Sequence, residues 1–172
     1  PTWISCNIQK RNTVEKRNDS FRWENNVIEH KRFLKAPRSL VWEVWTKPEH
    51  LAKWYGPEGY TLTTAQLQLH MGGTWNFVMH GFGKDYQNDI RYTRIEPEHT
   101  LCFRNGAIDN PYGFDVQVTL EEQEGGTWLT MRSEFSSKAV IEELNQKVNA
   151  IEGGKQTLNK LVAYAEKLFS GS

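Results

Sequence analysis

The composition of the 172-residue chain allows one domain with a sizeable core, and its 21 Lys and Arg residues balance 21 Asp and Glu residues. Without a net positive charge, binding to nucleic acid or to an anionic membrane surface is disfavoured. The longest apolar runs are too short to cross a bilayer, and the sequence does not open with a signal-peptide pattern. We therefore expect a soluble, cytoplasmic protein.

The first half of the chain predicts an extension, a strand and two short helices. Residues 1–24 are polar and of mixed charge, so we interpret them as an N-terminal extension to a domain at 25–170. Between 27 and 35 two sets of residues alternate, as is typical of a strand. One of these sets is Ile28, His30, Arg32 and Leu34. Pro37 and Pro48 then stand where a first helical turn tolerates proline, and a Gly-Pro pair ends the second helix at 56–57.

The middle of the chain predicts an antiparallel sheet. Turn signals recur about every ten residues, and the runs between them alternate between apolar and polar residues. The alternating apolar sets are Ala65, Leu67 and Leu69; Trp75, Phe77 and Met79; Phe114, Val116, Val118 and Leu120; and Leu129, Met131 and Phe135. Alternation with period two gives each strand one buried face, and that face needs a cover.

The C-terminal segment predicts the covering helix, preceded by a shorter helix at about 137–146. One stripe of the long helix holds Ile151, Gly154, Leu158, Leu161, Val162, Ala165 and Phe169. The stripe is shallow in its first half, where Gly154 lies. A glycine inside a helix costs roughly 1 kcal/mol relative to alanine, so Gly154 indicates either close backbone packing or space for a cavity. We favour the cavity.

The segment 79–92 has the glycines of a hairpin turn and an unusual number of polar side chains. Asn88 shares a strand face with Tyr86, and either side chain, or His80, could orient the polar end of a ligand in a pocket. Alternatively, these polar residues only brace the turn. His80 and Asp85 could also meet across the turn as an acid/base pair. No nucleophile or oxyanion site accompanies them.

Nothing in the sequence calls for a metal, a cofactor or a disulfide. Cys6 and Cys102 are far apart in unlike contexts, and the five His residues lack the spacing of metal ligands. We therefore expect no metal site, no cofactor and no catalytic residues.

Four segments resemble a known family. They are KAPRSLVWEVWTKPEHLAKWYGP (35–57), GGTWNFVMHGFGKDYQNDI (72–90), TWLTMRSEF (127–135) and AIEGGKQTLNKLVAYAEKL (150–168). Together, from about residue 26 to 168, they look like the START-like, or SRPBCC, superfamily. The resemblance is to its bacterial branch, which is similar to the C-terminal domain of the activator of the Hsp90 ATPase.

The resemblance implies an α+β helix-grip fold. In this fold a curved antiparallel sheet of about six to seven strands surrounds a long C-terminal helix, and two short helices follow the first strand. It also implies an apolar cavity between the sheet and the helix. Members of the superfamily bind lipids, polyketides or similar molecules, and a minority are cyclases or dehydratases. Fold alone does not decide among these functions.

We expect the chain to bind a small hydrophobic molecule in this cavity without chemistry. The predicted ligand-binding residues are Trp54, Trp75, Phe77, Met79, His80, Tyr86, Asn88, Phe103, Met131, Gly154 and Leu158. For Trp54, Phe103 and Met131, packing in the core is the competing interpretation. Two other functions stay open. One is a cyclase or dehydratase that uses His80 and Asp85, and the other is a stress-related module that interacts with an Hsp90-type chaperone. An exposed edge strand leaves pairing in a homodimer open as well.

Overall fold

A computed structural model describes residues 19–171, so most of the predicted N-terminal extension lies outside the described residues. The described part contains eight strands and four helices. In chain order they are β1 Ser20–Glu24, β2 Val27–Leu34, α1 Arg38–Thr46, α2 Pro48–Trp54, β3 Tyr60–Leu67, β4 Thr74–Gly81, β5 Lys84–Glu96, β6 Thr100–Asn105, β7 Phe114–Gln123, β8 Gly126–Phe135, α3 Lys138–Val148 and α4 Ala150–Ser170. The predicted α+β helix-grip fold is confirmed, with one or two more strands than expected. None of the helices described is long and apolar enough to cross a membrane.

All the strands form one antiparallel sheet in the order β1-β2-β8-β7-β6-β5-β4-β3. Strand β8 lies beside β2, so the segment just before the last two helices pairs with the segment just before the first two. As a result the two pairs of helices start at neighbouring strands: α1 and α2 follow β2, and α3 and α4 follow β8. This topology leaves β1 and β3 as the two edges of the sheet.

Strand β1 lies inside the stretch that the sequence assigned to the extension. It pairs with β2 from Ser20 opposite Lys31 to Glu24 opposite Val27. Asn25 makes the turn between the two strands in the left-handed region, at φ 52°, which Asn tolerates better than most residues. Ser20–Glu24 of the predicted extension therefore belongs to the sheet, whereas residues 1–18 lie outside the described residues.

The predicted alternation accounts for the strands that face the helices. Val116, Val118 and Leu120 of β7 are buried, and the residues between them are exposed or half-buried. The prediction for the third strand holds only for Leu67, which is half-buried against the core, whereas Ala65 is exposed and Leu69 lies beyond the end of β3. The pairing of β3 with β4 shifts by one residue between Thr64 and Gln66. A bulge of this kind turns the residues after it to the opposite face.

The second half of α4 holds the helix on the sheet. Leu158, Leu161 and Ala165 are fully buried in the same apolar cluster as the inward side chains of the strands. Trp54 also belongs to this cluster, and its indole N–H donates a hydrogen bond of 3.0 Å to the carbonyl of Val44. This bond ties α2 to α1 inside the core, where an unpaired indole would be costly.

We predict that Leu161→Ala lowers the free energy of unfolding by about 3 kcal/mol, because it removes a fully buried side chain and leaves a cavity. The same substitution at the exposed Leu69 is the control, with an expected loss below about 1 kcal/mol. Urea denaturation of the three proteins measures both values. Equal losses for the two variants would contradict the central position given to α4.

Candidate functional site

A cavity of about 790 Å³ separates the first half of α4 from the sheet. Strands β2, β4, β5, β6, β7 and β8 form its floor, and α3, the first half of α4 and the connection after α2 form its roof. Most of its wall is apolar. The expectation of hollow space between sheet and helix therefore corresponds to a feature of the structure.

The cavity exists because the two halves of α4 differ in bulk. Ala150, Gly153 and Gly154 line it in the first half, whereas Leu158 closes its inner end and the residues beyond pack on the sheet. A methyl group at Gly153 would lie 3.3 Å from Pro57 Cγ, so this glycine lets the helix approach the connection after α2. A methyl group at Gly154 would meet only the His30 ring, at 3.4 Å from Nε2. Gly154 thus borders both open space and an imidazole.

The structure brings seven of the eleven predicted site residues to the cavity wall. They are Met79, Tyr86, Asn88, Phe103, Met131, Gly154 and Leu158. The other four lie elsewhere. For all eleven residues a role in ligand binding remains a prediction. A ligand in the cavity could touch the seven on its wall but not the four that lie elsewhere.

Trp54, Trp75 and Phe77 lie in the core behind the cavity. Trp75 and Phe77 stack with their ring centroids 4.1 Å apart. The ring of Tyr55, which does line the cavity, packs edge-on against both, at 4.9 and 5.7 Å. The sequence pattern places Trp75 and Phe77 on the correct face of β4, but Tyr55 lies between them and the cavity.

His80 lies on the outer face of the sheet, one residue out of phase with Met79, which faces inward. Its Nδ1 is 2.7 Å from Asp85 Oδ1, so the predicted contact across the turn is present, and its Nε2 is 2.9 Å from Thr63 Oγ1. Both side chains of the pair are substantially exposed. Because the sheet separates this pair from the cavity, the pair does not reach a molecule held there.

The hairpin that carries this pair combines the two interpretations given to its polar residues. Phe82 and Gly83 form a two-residue turn with positive φ values of 54° and 76°. Asn88 braces the strand after the turn, since its Nδ2 donates to the carbonyl of Tyr86 at 3.1 Å. Asn88 and Tyr86 also line the cavity near its mouth, where Phe82 is 78% exposed. These polar residues therefore support the backbone and border the cavity at once.

His30 was not predicted as a site residue, although it occupies the most unusual position on the cavity wall. It is 2% exposed, and its Nδ1 is buried without a hydrogen-bond partner among residues 19–171. Burial, reinforced by the positive charges of Arg32 and Lys155, lowers the pKa of its imidazole to about 4. The sequence held a signal, because His30 alternates in phase with the apolar Ile28 and Leu34 and so must face inward.

A second polar group on the wall is also unpaired. Trp45 lines the inner part of the cavity, and its Nε1 is buried with no acceptor in the described part of the chain. An indole N–H can only donate, so this group is buried behind the cavity wall without an acceptor among residues 19–171. Residues 19–171 contain no group of three or more His, Cys, Asp or Glu side chains that could hold a metal ion.

Comparison with known proteins agrees with this architecture. The family model described as Activator of Hsp90 ATPase homolog 1-like protein matches residues 35–166. The chain belongs to this family. No curated protein matches the sequence.

Solved structures of other bacterial proteins share the fold of this family member. A protein of Arthrobacter aurescens is 22% identical, with a TM-score of 0.80, and the match covers 86% of this chain and 91% of that chain. A protein of Nitrosomonas europaea is also 22% identical, with a TM-score of 0.74 and coverage of 83% and 95%. A protein of Chromobacterium violaceum is 26% identical, with a TM-score of 0.71 and coverage of 82% and 97%. At these identities the similarity concerns the fold.

We predict that His30 makes the protein less stable as the pH falls from 6.5 to 4. The unfolded chain binds a proton at His30 with a pKa of about 6.5, whereas the folded chain does so only near 4, so protons favour unfolding in this window. The accumulated loss is about 3 kcal/mol.

The measurement is the free energy of unfolding of the wild type and of His30→Leu at several pH values. The difference between the two proteins isolates the contribution of His30 from those of other titrating groups. It should change through this window and be constant above pH 7. A difference that is the same at every pH would contradict the burial of a neutral imidazole.

Proposed function

We propose that this protein binds a small, mostly apolar molecule in the cavity between the sheet and α4, without performing chemistry on it. The observation that carries this proposal is the cavity itself. Its volume of about 790 Å³ falls within the range of about 300–1,000 Å³ that is typical of small-molecule sites. A domain of this size would be more stable with that space filled by side chains, because apolar voids cost free energy.

The wall suits an apolar ligand whose shape is not sharply defined. Ile28, Phe103 and Val116 line the cavity with apolar side chains that are shielded from bulk solvent. Met79 and Met131 lie among them, and methionine side chains adapt to irregular shapes because they are unbranched and polarisable. These features support a lipid-like or aromatic molecule as the class of ligand.

The mouth of the cavity is also apolar. Phe82, Tyr86, Tyr112 and Val148 are all exposed to solvent and all line the cavity. Large exposed apolar side chains that cluster at one opening differ from the isolated ones found on most surfaces. They give an apolar molecule a surface to contact before it enters.

The other functions considered from the sequence have less support. Catalysis by His80 and Asp85 would need a substrate on the outer face of the sheet, because neither residue lines the cavity on the other side. The family description contains the name of an Hsp90 activator, but the description of a family does not by itself give the partner of one member. Chaperone binding, a homodimer and a cytoplasmic location remain expectations from the sequence.

The first test fills the cavity. Gly154→Leu should weaken binding of the neutral fluorophore N-phenylnaphthylamine by about tenfold or more, because the new side chain occupies space that the ligand needs. Ala163→Leu adds similar bulk to an exposed position of the same helix and is the matched control. Fluorescence titration gives both dissociation constants, and circular dichroism confirms the fold. Unchanged affinity in a folded Gly154→Leu protein would refute the position of the site, and no binding by the wild type would refute the function.

The second test concerns the outer pair. We expect His80→Ala and Asp85→Ala to leave the affinity for the same fluorophore within about twofold of the wild type, because the sheet separates both residues from the cavity. A loss of about tenfold in either variant, with the fold retained, would show that the pair communicates with the cavity and would reopen the catalytic alternative.

A further inference from the structure

At one end of the cavity, His30 lines the wall and belongs to a small cluster of residues from three elements, of which Phe21 and Lys155 do not line the cavity. His30 of β2 lies against Gly154 of α4 and against the ring of Phe21 of β1, with the two ring centroids 5.1 Å apart. Lys155, the next residue of α4, holds its Nζ 4.3 Å from the centroid of the same Phe21 ring. The aromatic ring is thus flanked by an imidazole and an ammonium group.

The imidazole of His30 has no hydrogen-bond partner within the part of the chain that the structure describes. Its Nδ1 is completely buried, and neither ring nitrogen bonds to any group of residues 19–171. A buried polar group that lacks a partner costs free energy, whereas an apolar side chain of similar size would cost none. A neutral imidazole offers one donor and one acceptor. The mostly apolar cavity is therefore lined by a polar residue, His30, that makes no hydrogen bond within residues 19–171.

The charges around this imidazole are of one sign. Arg32 and Lys155 are the charged groups that act on it, and both are positive. Arg32 has an acidic neighbour, since its Nε lies 3.9 Å from a carboxylate oxygen of Asp19. Lys155 has no carboxylate in ion-pair contact among the described residues. The acidic residues that line the cavity, Glu58 and Glu152, are exposed at its outer margin.

We propose that this end of the cavity receives the carboxylate of an otherwise apolar monocarboxylic acid, with His30 donating a hydrogen bond to it and Lys155 supplying the opposite charge. This inference rests on the proposed binding function and names its class of ligand. A carboxylate accepts hydrogen bonds only, so it accepts one from the imidazole N–H. Its negative charge is attracted by the positive charges of Lys155 and Arg32. Charge-assisted hydrogen bonds of this kind are about twice as strong as neutral ones.

Other polar ends fit the cluster less well. An alcohol could form a hydrogen bond with the imidazole, but it carries no negative charge to pair with the ammonium group of Lys155. An amine would be protonated at neutral pH and repelled by Lys155 and Arg32. A wholly apolar end would offer the His30 nitrogens no hydrogen bond, although residues 19–171 supply none either.

The experiment compares two molecules with the same chain and different ends. Decanoic acid and decanol each displace N-phenylnaphthylamine from the wild-type protein at pH 7.5, and we expect the acid to bind about tenfold more tightly. His30→Leu should bring the ratio close to one. Lys155→Gln should lower it by about threefold.

Lys31→Gln is the matched control for Lys155→Gln. Lys31 also holds its ammonium near an aromatic ring, 5.5 Å from the centroid of Trp128, but its side chain is exposed on the outer face of β2. The two substitutions change the net charge equally, so a general electrostatic effect would appear in both variants. We expect the ratio for Lys31→Gln to equal that of the wild type.

A direct measurement on His30 completes the test. In an NMR titration, decanoate should raise the pKa of the His30 imidazole above its value of about 4, because a neighbouring anion stabilises the protonated ring. Decanol should leave it unchanged. A purely structural role for His30 would not produce this difference.

The possible failures are distinguishable. If the fluorophore binds and decanol displaces it as well as decanoate does, or if neither molecule displaces it, the carboxylate inference is overturned and the binding function stands. The inference also fails if His30→Leu and Lys155→Gln both keep the wild-type ratio. If the wild-type protein does not bind the fluorophore, the binding function and the inference fail together.

Discussion

The contact between the second half of α4 and the sheet determines the rest of the structure. Leu158, Leu161 and Ala165 seat this half of the helix on the buried face of the strands. A helix is a stiff rod, so the point at which its second half rests also fixes the height of its first half above the sheet. Small residues in the first half cannot fill the gap that results. Because the same contact both stabilises the fold and creates the cavity, the site depends on the best-packed part of the core.

The sequence predicted the architecture well because the signals for it are local and repeated. Alternation with period two identified the inward residues of β4, β5, β7 and β8, and helical spacing identified the stripe of α4. It failed where one residue changes the phase. The bulge between Thr64 and Gln66 leaves Ala65 outside the pairing with β4 and exposed, and nothing in the local composition marks a bulge at that position. Strand β1 was missed because its residues are mostly exposed, so they lack the alternation that reveals a half-buried strand.

The candidate site was only partly predictable, because a residue that faces inward can still be covered by another side chain. A sequence pattern shows which face of a strand a side chain occupies, but it does not show what lies above that face. Phe103 and Phe77 both face inward, yet Tyr55 covers Phe77 and leaves Phe103 on the cavity wall. His30 was overlooked for a related reason. In the sequence, a histidine in phase with apolar neighbours looks like an ordinary strand residue, and only the structure shows that its Nδ1 has no hydrogen-bond partner within residues 19–171.

The position of Tyr55 also bears on how such a protein can diversify. Its ring separates the stacked pair of Trp75 and Phe77 from the open space, so the packed core and the cavity wall are distinct layers. Replacing a side chain on the cavity wall changes the shape of the cavity without disturbing the stacked pair of Trp75 and Phe77 behind Tyr55. A few substitutions on the cavity wall could therefore change which ligand the proposed site accepts, while the packed core stays the same.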